Sequence, residues 1–257
     1  MKKTKPRILF WDIETSHNVM ASFELFPKFI PYENILQEWY IICAAWKLQG
    51  QKRVSQVSVL GDPKRFKKNP NDDYHVVKTL HEVLSNVDVI VHHYGDNFDI
   101  KKFNTRAVFH GFTPLPPIIQ IDTFKIAKQK FKFNTNRLDY IGRFLGLGNK
   151  IKTENELWLE CLSGNAKAVK DMVRYNKQDV YLLERVYDKL SPFVPAKLNQ
   201  NLFSDVNCCP SCSSTRFKKS GYANLRIGKY QAFRCNDCGH YFRSGTRIDN
   251  ERYPLPR

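Results

Sequence analysis

The chain has 257 residues, 42% hydrophobic and 13% aromatic, enough for one sizeable α/β domain and a small appendage. Lys and Arg number 41 against 25 Asp and Glu, so the formal charge is +16 and nucleic acid is the leading partner class. No apolar run approaches 18 residues, no amphipathic terminal anchor is present, and the basic start Met1-Lys2-Lys3-Thr4-Lys5-Pro6 has no hydrophobic core behind it; the expectation is no membrane contact and no secretion.

The stretch Ile8-Leu9-Phe10-Trp11-Asp12-Ile13-Glu14 reads as a buried central strand. Alternate side chains of a strand point to opposite faces, so Asp12 and Glu14 project from the same one. Two acids ending an apolar run are costly to bury unless a cation neutralises them, which points to a hard metal with oxygen ligands. The bland alternative is a solvent-facing strand end. From Ser16 to Trp39 no period is sustained and Pro27 and Pro31 interrupt, which predicts a long loop with one short helix at most. Tyr40–Leu48 and Arg53–Leu60 are strand-like and predict an antiparallel hairpin across residues 49–52.

Val76, Val77, Leu80, Val83 and Leu84 recur at helical spacing, predicting an amphipathic helix from Asp73 or Tyr74 to Asn86. Val87–His93 is a second interior strand running into Tyr94-Gly95-Asp96-Asn97-Phe98-Asp99, a turn that puts polar residues at the mouth of the sheet. Asp99 opens a helix there, either as metal ligand or as cap, and Asp96 or Asn97 are further caps. Ile118–Ile121 predicts a short strand, with Asp122 as N-cap of a helix from Phe124 to Lys130. Lys128-Gln129-Lys130-Phe131-Lys132-Phe133 interleaves cations with rings, a pattern suited to phosphates and exposed bases or, equally, a solvated face with core-directed phenylalanines. Thr135 or Asn136 caps a helix through Leu145. From Gly164 a long helix runs to Pro192 with Tyr175 and Asp179 four apart on one face.

Four acids in the order Asp12, Glu14, Asp99, Asp179, with Tyr175 one turn before the last, form a constellation. It resembles the DEDD superfamily of 3′→5′ exonucleases, also called DnaQ-like, whose fold is ribonuclease H-like: a mixed sheet flanked by helices. The resemblance spans roughly residues 7 to 190 and rests on Phe10-Trp11-Asp12-Ile13-Glu14-Thr15, Phe98-Asp99-Ile100 and Tyr175-Asn176-Lys177-Gln178-Asp179. Tyr175, four before the last acid, with Arg174 where the other subtype has histidine, indicates the tyrosine subtype. Tyr94-Gly95 departs from the expected Asn-Gly, which bears on substrate contacts more than on metal binding.

The resemblance implies a two-metal hydrolysis of phosphodiesters, with Mg²⁺ or Mn²⁺ held by Asp12, Glu14, Asp99 and Asp179. Asp12 would bridge the ions, Glu14 and Asp179 would complete the water-activating position, and Asp99 would serve the other. Tyr175 would orient the attacking water, because a phenol titrating near ~10 is a weak base.

Of seven cysteines, Cys43 and Cys161 stand alone while Cys208, Cys209, Cys212, Cys235 and Cys238 crowd the C-terminal region, a distribution unlike a disulfide framework and suited to a reducing cytoplasm. Cys209-Pro210-Ser211-Cys212 and Cys235-Asn236-Asp237-Cys238 are two C-x-x-C knuckles, with Gly239 tightening the second, and four thiolates suit one structural Zn²⁺. Cys208 is an adjacent spare and His240 a substitute ligand. The stretch resembles a zinc ribbon. Residues 207–257 carry 10 Lys or Arg and 3 Asp or Glu, a balance of +7 that with Phe217, Tyr222, Tyr230, Phe233, Tyr241 and Phe242 favours nucleic-acid contact.

The expected organisation is thus an exonuclease domain over 1–190, a linker over 191–206 containing Pro192 and Pro195, and a zinc ribbon over 207–257. The expected function is metal-dependent 3′→5′ exonuclease, resembling small phage-type members and so placed in the host cytoplasm, acting on single-stranded or 3′-ended DNA. DNA is favoured over RNA by resemblance to proofreading-type domains alone. Two other classes remain open: an inactive nucleic-acid-binding protein and a structure-selective endonuclease on the same fold.

Overall fold

The computed structural model describes residues 5–148 and 155–248; the expected basic start over 1–4 and the end of the expected ribbon over 249–257 lie outside them. In chain order the elements are β1 (Ile8–Thr15), β2 (Val19–Met20), β3 (Ile35–Gln37), β4 (Ile41–Leu48), β5 (Ser55–Ser58), α1 (Pro63–Lys68), α2 (Tyr74–Leu84), β6 (Val89–His92) and α3 (Asp99–Phe109). They continue with β7 (Ile119–Asp122), α4 (Thr123–Lys130), α5 (Leu138–Phe144), α6 (Asn155–Leu162), α7 (Ala166–Leu190), β8 (Phe217–Leu225), β9 (Gly228–Cys235) and β10 (Tyr241–Arg247).

Alternation in β1 explains its position. Ile8 and Phe10 are buried in one core cluster, Leu9, Trp11 and Ile13 in another, so the strand needs cover on both faces and lies mid-sheet. The sheet order is β5-β4-β1-β6-β7. β1 pairs antiparallel with β4 and parallel with β6, β4 pairs antiparallel with β5 as the expected hairpin, and β6 pairs parallel with β7. This is a mixed α/β, ribonuclease H-like architecture.

The long helix α7 serves both cores. Val169, Met172 and Tyr175 pack in the cluster of Trp11, whereas Val180, Leu183 and Val186 pack in the cluster of Phe10. Each such apolar side chain contributes roughly 1.5–3 kcal/mol on burial, which holds the helix across the sheet. Asn165 starts it by accepting from Lys167 N and Ala168 N (2.9 and 3.3 Å), and Pro192 follows its end. Among the described residues no helix is long and apolar enough to cross a membrane.

Several local expectations change. The segment between β1 and β4 is not one loop, since β2 and β3 pair within it and Tyr32–Asn34 forms a 3-10 turn. Backbone pairing supplies the partners that the irregular pattern hides. Asp122 caps α4 as expected, accepting from Phe124 N at 2.9 Å. Neither Asp96 nor Asn97 caps α3, whose N-cap is Phe98 without a side-chain bond; Asp96 is drawn instead to His92 and Lys125. Arg137, not Thr135 or Asn136, occupies the N-cap of α5.

Downstream, β10, β9 and β8 form a separate antiparallel sheet in that order. It is tied to the preceding segment rather than hanging from it. His240 Nδ1 donates to Pro192 O (2.9 Å), and Asn201 brackets Cys208, accepting from its N–H at 2.8 Å and donating to its carbonyl at 2.9 Å.

Candidate active site and zinc site

β1 delivers Asp12 and Glu14 on the face of Ile8 and Phe10, opposite Ala45 and Cys43 of β4. α7 crosses this face and delivers Asp179. One oxygen from each of Asp12, Glu14 and Asp179 lies within 4.8 Å of the others, joining acids 165 residues apart in sequence between Glu14 and Asp179. Asp179 is buried and the two strand acids are half-buried. Three carboxylates at this separation repel strongly in a partly desolvated site, so the donor set fits a hard divalent cation. The pairing of Asp12 with Glu14 was legible from strand alternation; their meeting with Asp179 was not.

Asn176 is a residue that sequence reasoning missed. Its Nδ2 donates to Asp12 Oδ2 at 2.6 Å from full burial. The available signal was its place three before Asp179 on the same helix, which puts both on one face.

Asp99 stands apart from the trio. It is 3% exposed at the first turn of α3, and its Oδ1 accepts from Ile13 N at 3.2 Å, so it abuts β1 between the two strand acids through the backbone. Burial pushes its carboxyl up to about 6; His92 and the Ile13 N–H oppose that shift and Asp122 adds to it. Tyr175, one turn before Asp179, is buried with its ring edge-on to Trp158 at 6.0 Å. Cys43 is fully buried; burial first, then the charge of Glu14, raises its thiol well above the usual value, so it stays protonated beside the acids.

The departure at Tyr94 has a structural setting. Tyr94 adopts φ +66°, and its N–H donates to Asp122 Oδ1 at 2.9 Å. The next residue must be glycine: a Cβ on Gly95 would lie 2.3 Å from His92 Cγ. Tyr94 is exposed, with its ring edge-on to Phe124 at 4.9 Å. Beneath the turn, His92 Nε2 donates to Asp96 Oδ1 (2.8 Å) and Lys125 Nζ to Asp96 Oδ2 (2.5 Å). His92, Asp96 and Asp122 also approach closely enough to hold an ion. Their hydrogen bonds to each other, to Lys125 and to the backbone make them the frame of the turn.

In the second sheet, ligand atoms of Cys209, Cys212, Cys235 and Cys238 all lie within 4.8 Å of one another. The Cys209–Cys238 and Cys212–Cys235 sulfur pairs are each 3.7 Å apart. A tetrahedral zinc with Zn–S of about 2.3 Å requires edges near 3.8 Å, so the four thiols fit that ion. Cys208 is buried outside the set, and His240 is engaged by Pro192 O. Both stay outside the four-sulfur group.

A sequence profile of the RNase_H superfamily matches residues 50–191. No curated protein matches the chain. Among solved structures, the chain is similar to the family B DNA polymerase from the hyperthermophilic archaeon Pyrobaculum calidifontis, with 17% identity and a TM-score of 0.54. The match covers 73% of this chain and 25% of the polymerase, so it bears on the fold.

Proposed function

Because the chain belongs to the RNase_H superfamily, we propose that it is a metal-dependent 3′→5′ exonuclease of the tyrosine subtype, with its C-terminal zinc ribbon contacting nucleic acid. The observation that carries the reading is the convergence of Asp12, Glu14 and Asp179 within 4.8 Å. These three hold Mg²⁺ or Mn²⁺, with Asp99 as the fourth acid beside β1. When bound, such ions acidify water and neutralise charge on the phosphoryl oxygens and the departing 3′ oxygen.

The chain's own groups supply positioning. Asn176 fixes the orientation of Asp12, and the Ile13 N–H fixes that of Asp99. Tyr175 lies on the Asp179 face of α7 and orients the attacking water through its hydroxyl. Burial of Asp179 and Asp99 keeps competing solvent away. DNA is the favoured substrate, by resemblance to proofreading-type domains, and the +16 charge suits a nucleic acid of either kind. The domains run 1–190 and 207–257.

End-labelled single strands and circular substrates, each as DNA and RNA, test the reading in the presence of Mg²⁺. Stepwise shortening from the 3′ end of DNA is the expected outcome. Cutting of circles would replace the reading with an endonuclease, and binding without product with an inactive relative.

A further inference from the structure

The interleaved segment Lys128–Phe133 is unused by the site described above, yet it belongs to a continuous row of rings. Phe193, just after α7, meets Phe131 edge-on at 5.1 Å; Phe131 stacks on Phe133 at 5.2 Å and 19°; Phe133 meets Phe144 at 5.4 Å. Phe131 and Phe133 are half-buried against the core, whereas Phe193 and Phe144, the latter also stacked on Tyr140 at 6.3 Å, are 64% and 65% exposed. Packing explains the middle rings. It does not explain two large rings of the same row left largely in water.

The charge around the row is predominantly positive. Residues 123–148 contain six Lys or Arg and a single acid, Asp139, and Lys128, Lys130 and Lys132 are all exposed. At one end the row enters a groove of about 1260 Å³ lined by the 192–201 segment and the zinc-ribbon sheet, with Phe193, Arg234, Tyr241 and Arg243 among its walls. At the other side His93 Nε2 donates to Asn136 O at 2.8 Å, fastening the segment after Phe133 to the residue that follows β6. That strand end leads through the Tyr94 turn into Asp99.

We propose that this row is a track for single-stranded nucleic acid, with the exposed rings taking base faces and Lys128, Lys130 and Lys132 taking phosphates, and that it carries the strand from the zinc ribbon toward the carboxylates. The occupant follows from complementarity: the exposed Phe193 and Phe144 rings offer apolar surface to unstacked bases, and the flanking cations match a polyanionic backbone. The proposal deepens the nuclease reading by naming the substrate form and its path, but binding to the track does not require hydrolysis.

Binding of the full zinc-loaded chain to a labelled oligonucleotide, with no Mg²⁺ or Mn²⁺ added, therefore tests it separately from activity. Lys128→Ala/Lys130→Ala/Lys132→Ala should weaken binding and flatten the dependence of log K on log salt by about 2, the release expected for three phosphates of a single strand. Phe144→Ala and Phe193→Ala should each weaken binding on the order of tenfold, and that loss should disappear on an oligonucleotide lacking bases opposite the row. All five side chains are exposed, and melting curves matching the parent confirm that the variants fold. Parental affinity in the ring variants, or an equal loss with and without bases, overturns the track and leaves a general polyanion surface. Failure to detect hydrolysis with these binding effects intact would defeat the nuclease reading and leave the track standing.

Discussion

Asn176 on α7 and Asp12 on β1 are joined by a 2.6 Å hydrogen bond, the donor amide being fully buried one turn before Asp179. The bond ties the helix that supplies one acid to the strand that supplies two. A partner that orients a ligand commonly sets metal affinity by 10–100-fold when lost (about 1.4–2.7 kcal/mol). Asn176→Ala should therefore weaken Mn²⁺ binding by about tenfold or more, read by calorimetry or electron paramagnetic resonance. A drop in melting temperature with unaltered Mn²⁺ affinity would reduce Asn176 to a packing residue.

Asp12→Asn and Asp179→Asn should abolish hydrolysis while preserving the fold, since each swaps a charged oxygen for an amide of similar volume. Tyr175→Phe should cost only about two- to tenfold in turnover, the worth of one neutral hydrogen bond. Single-turnover rates alongside melting curves make the comparison. Wild-type rates in Asp12→Asn would remove the carboxylate mechanism.

Asp73 is fully buried and receives Ile41 N, the Nε and Nη2 of Arg106 and His110 Nε2, so it locks β4 and α3 together. Burial alone would raise its carboxyl, but the His110 and Arg106 bonds outweigh that and lower it. A folded value below the unfolded one means that the stabilisation is present above about pH 4 and is lost as pH falls through the folded value. Asp73→Asn should cost about 3–5 kcal/mol near neutrality, because the Arg106 charge loses its partner. The gap between parent and variant should narrow below pH 4 in denaturant titrations; a gap constant with pH would contradict the ionic account.

Cys235→Ser should reduce bound zinc from about one per chain to nearly none by elemental analysis. The strands holding the carboxylates lie upstream, so hydrolysis at saturating substrate should change little while affinity falls. Retention of the metal by the serine variant would mean that another group, with His240 and Cys208 the nearest candidates, completes the site.

Much of this protein was legible along the chain because the relevant physics is local. Strand alternation puts Asp12 and Glu14 on one face, helical spacing puts Tyr175 and Asp179 on another, and two C-x-x-C knuckles mark four sulfurs that do converge. The hairpin, the interior strands and the long helix followed from apolar periodicity. Capping was less legible. Asp96 has the composition of a helix cap, yet His92, four residues before it, and Lys125, 29 residues after it, compete for it, and the second comes from a distant element.

Tertiary structure alone decided the relationships that depend on long-range closure. β1 and α7 must cross before Asp179 and Asn176 reach Asp12, and the position of that crossing is set by two apolar clusters on opposite faces of one sheet. The same closure sets Asp99 against the backbone of Ile13 instead of within the acidic trio, and aligns Phe193 with Phe131 from distant segments. Sequence determined which chemical groups the protein carries and which neighbours share a face; packing determined which faces meet, because hydrophobic burial is non-directional and only the assembled core selects one arrangement.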